Sequence, residues 1–244
     1  MNLSINIRME LCARARAGRQ WPEIGFSDRA ANLLAQLLGI SLKQRLSPLD
    51  ERRLIQRSKW FDECCRDFFQ RHPLAMCIEL GAGLSTRFHR LSDTSDWPRF
   101  QWVEVDLPQV SAMKSEVLPA IDNYRLVSAD IAEDDWLSLS GWKPEQPLLV
   151  LLESVAPELK ANALLKLIEK LGKKAGPEKL QLVLDDQNQP AWLVWIKVLA
   201  VRCGLNIKLP ITAHLSRLER QGFHVVRQKS FFGNAVVGLV LHHE

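Results

Sequence analysis

Met76-Cys77-Ile78-Glu79-Leu80-Gly81-Ala82-Gly83-Leu84-Ser85-Thr86 is a short apolar run that stops at two glycines and hands over to a helical pattern. The run has the length of a buried strand, and Ser85 to Leu91 the spacing of the helix that follows it. Glycines at a strand end let the chain turn sharply and bring its backbone against a ligand with no Cβ in the way. In an open α/β sheet, ligands lie outside the carboxyl ends of the strands. Two glycines alone are a weak signal, so the flanking segments decide. A nicotinamide-type fingerprint needs a third glycine at position 86, where Thr86 stands.

On the C-terminal side the same alternation repeats. Phe100 to Val105, Tyr124 to Ser128, Leu148 to Leu152 and Leu180 to Leu184 read as strands. Helical patterns fall between them at Gln109 to Leu118, Pro157 to Leu171 and Pro190 to Cys203. Pro157 suits the first turn of its helix, and Gly172 lies near its end. Strands alternating with helices predict a parallel sheet. Phe223 to Ser230 and Ala235 to His242 break the rhythm as an antiparallel hairpin, with Gly233-Asn234 in the turn. The expected fold is a Rossmann-like, seven-stranded, mostly parallel sheet closed by that hairpin, which resembles the class I methyltransferase pattern. Residues 1–72 read as a helical N-terminal extension of the same domain, with Arg29 to Leu38 amphipathic and Pro48 to Phe69 long and charged; residues 73–244 form the core.

Acids stand at the following strand ends. Asp106 closes Val103-Glu104-Val105-Asp106, where its two oxygens can accept from both hydroxyls of a ribose. It could equally cap the helix that begins at Leu107-Pro108. Asp130 with Ile131 follows the third strand and suits an adenine amine and ring face, and Glu153 ends the fourth. Acids or glycines at four successive strand ends make a lined pocket.

Bulk properties narrow the class. The 244 residues suffice for one full core, with 47% hydrophobic and 25% charged residues. The net charge of +4 is small and spread out. The densest basic cluster, Arg14 to Arg19, reads as a solvated helix face, so no nucleic-acid partner is expected. The five cysteines form no C-x-x-C pair and no zinc spacing, which suits a reducing compartment. No signal-peptide or membrane-length apolar run is present, so a cytoplasmic protein with no membrane partner is expected.

Leu80-Gly81-Ala82-Gly83-Leu84-Ser85-Thr86-Arg87-Phe88-His89-Arg90-Leu91 resembles the L-G-A-G-x-D-T-R-x-x-R-L segment of the leucine carboxyl methyltransferase family, which includes polyketide-synthesis O-methyltransferases. Glu104-Val105-Asp106-Leu107-Pro108 resembles its E-V-D-x-P, with Lys114 beyond it. Arg57 to Asp62 is similar to its R-x-x-x-F-D, and Phe26-Ser27-Asp28-Arg29-Ala30 to its F-x-D-P-x-A. Leu152 to Leu159 sits where the family has E-G-V-L-x-Y-L. The resemblance spans roughly residues 10 to 170. It implies S-adenosyl-L-methionine (SAM) as cofactor, leaving as S-adenosyl-L-homocysteine (SAH). It also implies that Arg57 binds the methionine carboxylate, that Gly81 lies beside the methionine, and that Asp106 holds the ribose. Asp130 and Ile131 would hold adenine and Glu153 the methionine ammonium, with Glu79, Ala82, Gly83 and Leu107 lining the same cofactor site. These pairings also make chemical sense, since a guanidinium fork suits a carboxylate and a carboxylate an ammonium. Three positions depart from the family: Ser85 replaces an acid, Ser154 a glycine, and Ala156-Pro157-Glu158 the apolar-then-tyrosine run.

The activity so implied is methyl transfer to a carboxylate or hydroxyl of a small molecule or peptide C-terminus. A carboxylate needs no base, whereas a phenol would benefit from one. His89, His214 and His224 are candidates no better than packing or surface residues, and no catalytic residue is assigned. Trp192 and Trp195 could line an aromatic acceptor site or form core. Two alternatives remain: a non-catalytic SAM-binding or interaction protein, and a metal-dependent catechol-type enzyme using Asp185-Asp186-Gln187-Asn188 as oxygen ligands. No Asn-Pro-Pro-aromatic or Asp-Pro-Pro-aromatic motif of nucleic-acid N-methyltransferases follows the fourth strand.

Overall fold

The computed structural model describes residues 3–93, 99–132, 135–155, 159, 163–176, 178–187, 191–203, 210–231 and 236–243. It divides into two compact units, residues 1–141 and 142–244, so the helical N-terminal segment shares a unit with the first three strands.

In the first unit, three helices precede the sheet, each started by a local signal. Helix α1 (Ile5–Gln20) is capped by the Ser4 side chain, α2 (Arg29–Leu37) by Asp28, whose carboxylate accepts from the Ala31 N–H at 2.9 Å, and α3 (Pro48–Arg71) by Ser47, with Pro48 in the first turn. Strand β1 (Met76–Leu80), helix α4 (Arg87–Ser92), strand β2 (Gln101–Asp106), helix α5 (Pro108–Val117), strand β3 (Tyr124–Ser128) and the short helix α6 (Trp136–Leu139) follow. The strands run parallel in the order β3-β2-β1. Leu3, Leu11, Ala31, Leu34, Ala35, Leu84 and Val110 form one apolar cluster, so α1 and α2 pack onto the loop after β1 and onto α5.

In the second unit, strand β4 (Leu148–Leu152) is buried throughout and reads accordingly as an unbroken apolar run. Helix α7 (Ala163–Ala175), strand β5 (Leu180–Gln187), helix α8 (Ala191–Arg202), a short turn at Ile211–His214, helix α9 (Leu215–Glu219), and strands β6 (Phe223–Phe231) and β7 (Val236–His243) complete it. Strand β4 pairs parallel with β5, β5 antiparallel with β7, and β7 antiparallel with β6. The seven strands thus make the mixed sheet expected, mostly parallel with antiparallel C-terminal strands. The hairpin turn at residues 232–235 and the Pro157 helix start lie outside the described residues. Gly172 lies near the end of α7, which runs on to Ala175, and it sits under the Phe223 ring. Among the described residues, no helix is long and apolar enough to cross a membrane.

The basic cluster of α1 is not a solvated face. Arg14 and Arg16 are buried, and only Arg19 of the three is exposed. Arg16 donates to the carbonyls of Leu42 at 2.5 Å and Gln44 at 3.0 Å and pairs with Glu51, fastening the connection between α2 and α3. The correction has a simple cause. Carbonyls and carboxylates elsewhere along the chain pair with these guanidiniums, which local spacing cannot reveal.

Candidate functional site

The glycine turn is built from three strand ends. Gly81 and Gly83 both take left-handed conformations, with φ of 60° and 53°, which a side chain would strain. The Gly81 N–H donates to the Val105 carbonyl at 2.8 Å, and the Ala129 N–H to the Asp106 carbonyl at 2.9 Å. These bonds hold the ends of β1, β2 and β3 in step. A Cβ on Gly83 would lie 3.6 Å from the Ile7 side chain, so α1 lies against the turn.

Asp106 is half-buried beside this turn. One of its oxygens accepts from the Gly83 N–H at 2.6 Å and the other from the Leu107 N–H at 2.7 Å. It is not the cap of α5, whose N-cap residue is Leu107. A carboxylate oxygen can accept more than one hydrogen bond, so Asp106 retains capacity for hydroxyl donors while tying its own strand to the glycine turn. Leu107 is exposed, presenting an apolar side chain next to that carboxylate. Asp130 is half-buried and accepts from the Ala132 N–H at 2.8 Å, and Ile131 beside it is half-buried as well. Gly81, Ala82, Gly83, Asp106, Leu107, Asp130 and Ile131 therefore all belong to consecutive strand ends of one unit. Arg57 lies on α3 in the same unit, 3.9 Å from Glu10 of α1. Glu153 follows β4 in the second unit, half-buried in a turn whose next residue, Ser154, has φ of 64°.

Glu79 has a different surrounding from the turn residues. It is buried, paired with Arg87, and accepts from the Ser85 hydroxyl at 3.0 and 3.1 Å. It belongs to a network of buried charges that sequence reasoning did not assemble. Arg87 also donates to Asp62 at 2.8 Å. Arg90 reaches both oxygens of Asp62, at 2.9 and 3.0 Å, and Asp28 at 2.6 Å. The Thr86 hydroxyl donates to Asp28 at 2.7 Å. Lys114 pairs with Glu104, the register neighbour of Glu79 on β2, and donates to the Ser85 carbonyl at 2.8 Å. Arg14 closes the set on the Leu84 carbonyl at 2.8 Å. Cationic donors from α1 and α5 thus grip two carbonyls of the loop that carries the glycine turn. The signal for this network was in the motifs, since Asp28, Asp62, Arg87, Arg90 and Lys114 all stand in the segments quoted above. Their common destination was not.

Burial sets the ionisation here. Burial raises the Glu104 carboxyl to about 7, while Lys114 opposes the shift and Glu79 adds to it. Burial alone would lower the Arg90 guanidinium, but Asp28 and Asp62 outweigh it and hold the group charged. Burial also lowers His89 below the usual histidine value, with Lys114 adding to the effect; its ring packs on Phe88 and Tyr124 at 5.3 and 5.5 Å. Packing is what this histidine does. Burial likewise lowers His214.

The acid pair, which falls inside β5 and not after it, accepts from backbone. Asp185 accepts from the Ser154 N–H at 2.7 Å and Asp186 from the Ile211 N–H at 2.6 Å, both acids being buried. Asn188 and the side chains of Gln187, Trp192 and Trp195 lie outside the described residues.

The chain is 31% identical over 151 residues to the tetracenomycin polyketide synthesis O-methyltransferase TcmP of Streptomyces glaucescens, covering 62% of this chain and 54% of that one. It spans about half the length of the curated relatives it matches. Among solved structures, a DUF574-family protein from Streptomyces avermitilis superimposes with a TM-score of 0.57 at 12% identity, over 99% of this chain and 100% of that one. The magnesium protoporphyrin IX methyltransferase of Synechocystis, solved with bound SAH, gives 0.54 at 12% identity, over 95% and 98%. At such identities these two likenesses establish the fold alone. The family model for leucine carboxyl methyltransferases matches residues 10–172, and the chain belongs to that family.

Proposed function

We propose that this chain binds SAM at the glycine turn and transfers its methyl group to an oxygen acceptor, a carboxylate or hydroxyl of a small molecule or peptide. The observation that carries the reading is the clasp of Asp106 on the Gly83 N–H, which holds a ribose-type acceptor beside a turn whose left-handed glycines leave the backbone open to a ligand. The residues fit the cofactor chemically. Asp106 would take the ribose hydroxyls, Leu107 and Ile131 the faces of adenine, Asp130 its amine, Arg57 the carboxylate and Glu153 the ammonium, with Gly81, Ala82 and Gly83 along the methionine. When bound, SAM supplies an activated methyl group on a sulfonium. The protein's part is to align the acceptor and exclude water, and α1 packed against Gly83 suits a covering element. An acceptor that arrives ionised asks for no base from the chain, in keeping with a His89 held in packing. For the catechol-type alternative, Asp185 and Asp186 each accept a backbone N–H bond, and among the described residues no group of three or more His, Cys, Asp or Glu side chains is placed to hold a metal ion.

Calorimetric titration with SAM and SAH tests the reading. Micromolar binding by the wild type, lost in Asp106→Ala and in Arg57→Ala, supports it. No binding by the folded wild type overturns it. Binding without turnover on a panel of carboxylates and phenols would favour a non-catalytic SAM-binding protein.

A further inference from the structure

The turn after β4 holds a conformation that its own residue does not favour. Ser154 has φ of 64°, and among the described residues the only other non-glycine at positive φ is Glu178. An L-residue with a Cβ is strained there, and such strain persists only where surroundings over-determine it. The surroundings are visible. The register of β4 against β5 pairs Leu152 with Leu184, which sets Glu153 opposite Asp185 one step further on. From that position the Asp185 carboxylate, only 2% exposed, accepts from the Ser154 N–H at 2.7 Å. A hydrogen bond to a charged acceptor in a buried setting is among the stronger ones available to a backbone amide.

We propose that Asp185 is a positioning residue: it pins Ser154 in the left-handed conformation and thereby fixes the peptide that carries Glu153. This rests on the reading that Glu153 receives the ammonium group of SAM. Glycine at 154 would hold the same turn without help, since it has no Cβ to strain. Serine makes the turn depend on the acid across the strand pair. The adjacent Asp186 does the equivalent for the Ile211 turn, so the end of β5 works as a backbone anchor in its own unit.

The test uses the full chain and SAH binding by calorimetry, with folding checked by near-ultraviolet circular dichroism. Asp185→Ala is expected to weaken SAH binding about tenfold, and adding Ser154→Gly to bring it back to within about threefold of wild type. A merely structural Asp185 would lower Tm in both variants while leaving the SAH affinity in place. Wild-type affinity in Asp185→Ala, or a double variant as weak as the single, overturns the proposal. If Asp185→Ala does not fold, Asp185→Asn takes its place. Its amide oxygen still accepts but carries no charge, so a smaller loss that Ser154→Gly recovers is expected, and no recovery is a refutation. Failure of the wild type to bind SAH overturns the cofactor reading and this proposal together, whereas loss without rescue overturns this proposal alone.

Discussion

Arg90 shows how much a single side chain carries in this protein. Its guanidinium is shared between Asp28 before α2 and Asp62 on α3, and it lies 5.0 Å from the Phe26 ring centroid. Removing one partner from a buried ion pair leaves the other charge uncompensated, at a cost of about 3–5 kcal/mol. Arg90→Ala is therefore expected to lose about 3 kcal/mol or more in urea denaturation, far beyond the loss of a surface pair such as Arg53 with Asp50, worth below ~1 kcal/mol. Glu104 adds a dependence on pH. Its folded-state value of about 7 exceeds the ordinary 4.5, with Lys114, Glu79 and Tyr124 as its charged and titratable neighbours. Between those values the folded state binds more protons than the unfolded one, so stability falls as pH rises across that window. Equilibrium denaturation from pH 4.5 to 7 should show that decline, and Glu104→Gln should flatten it. An unchanged slope in the variant would refute the assignment.

Elements are held by fits that override propensity. Gly172 sits inside α7, where alanine would ordinarily be better by about 1 kcal/mol. Its Cβ, however, would fall 2.8 and 2.9 Å from ring carbons of Phe223, a ring only 1% exposed. The clash outweighs the propensity gain, so Gly172→Ala is expected to destabilise by about 1–3 kcal/mol in thermal or urea unfolding. A stabilised variant would show that the ring can give way. Strand β6 illustrates the opposite face of element design. It pairs on one side with β7, and its register shifts between Val225 and Arg227, leaving Val226 exposed in a bulge. A bulge and the charges of Arg227 and Lys229 discourage another chain from adding to the sheet there.

At the scale of the whole molecule, the N-terminal helices are part of the first unit's structure. Asp28 and Asp62 lie within residues 1–72, and their cations Arg87 and Arg90 on α4. A fragment of residues 73–244 would bury Arg87 and Arg90 without these two counter-charges. Expressed alone, it is expected to be insoluble, or to lack the near-ultraviolet dichroism of packed aromatics that the full chain shows. A soluble, cooperatively unfolding fragment would overturn this expectation. The same network places α1 against the glycine turn.

The sequence by itself determined the elements and the family. The strands at Met76–Leu80, Tyr124–Ser128 and Leu148–Leu152 read off without error; Leu148–Leu152 is the plainest case, since an unbroken apolar run records burial within one element. The glycine turn was legible for the same local reason, and the quoted motifs were enough to name the family that the model match then established. Tertiary structure alone decided where the charges go. Arg14 and Arg16 looked like a solvated face and are buried; Glu79 looked like a site acid and is paired with Arg87. Asp106 could be seen as a ligand or a cap, and only the folded chain shows it holding Gly83. The left-handed turn at Ser154 was marked only by the glycine that the family has there, and its acid at Asp185 carried no local mark. Periodicity reports the average surroundings of a face, whereas a buried charge is defined by one partner. Here those partners stand up to 70 residues away along the chain, as the Leu84 carbonyl does from Arg14.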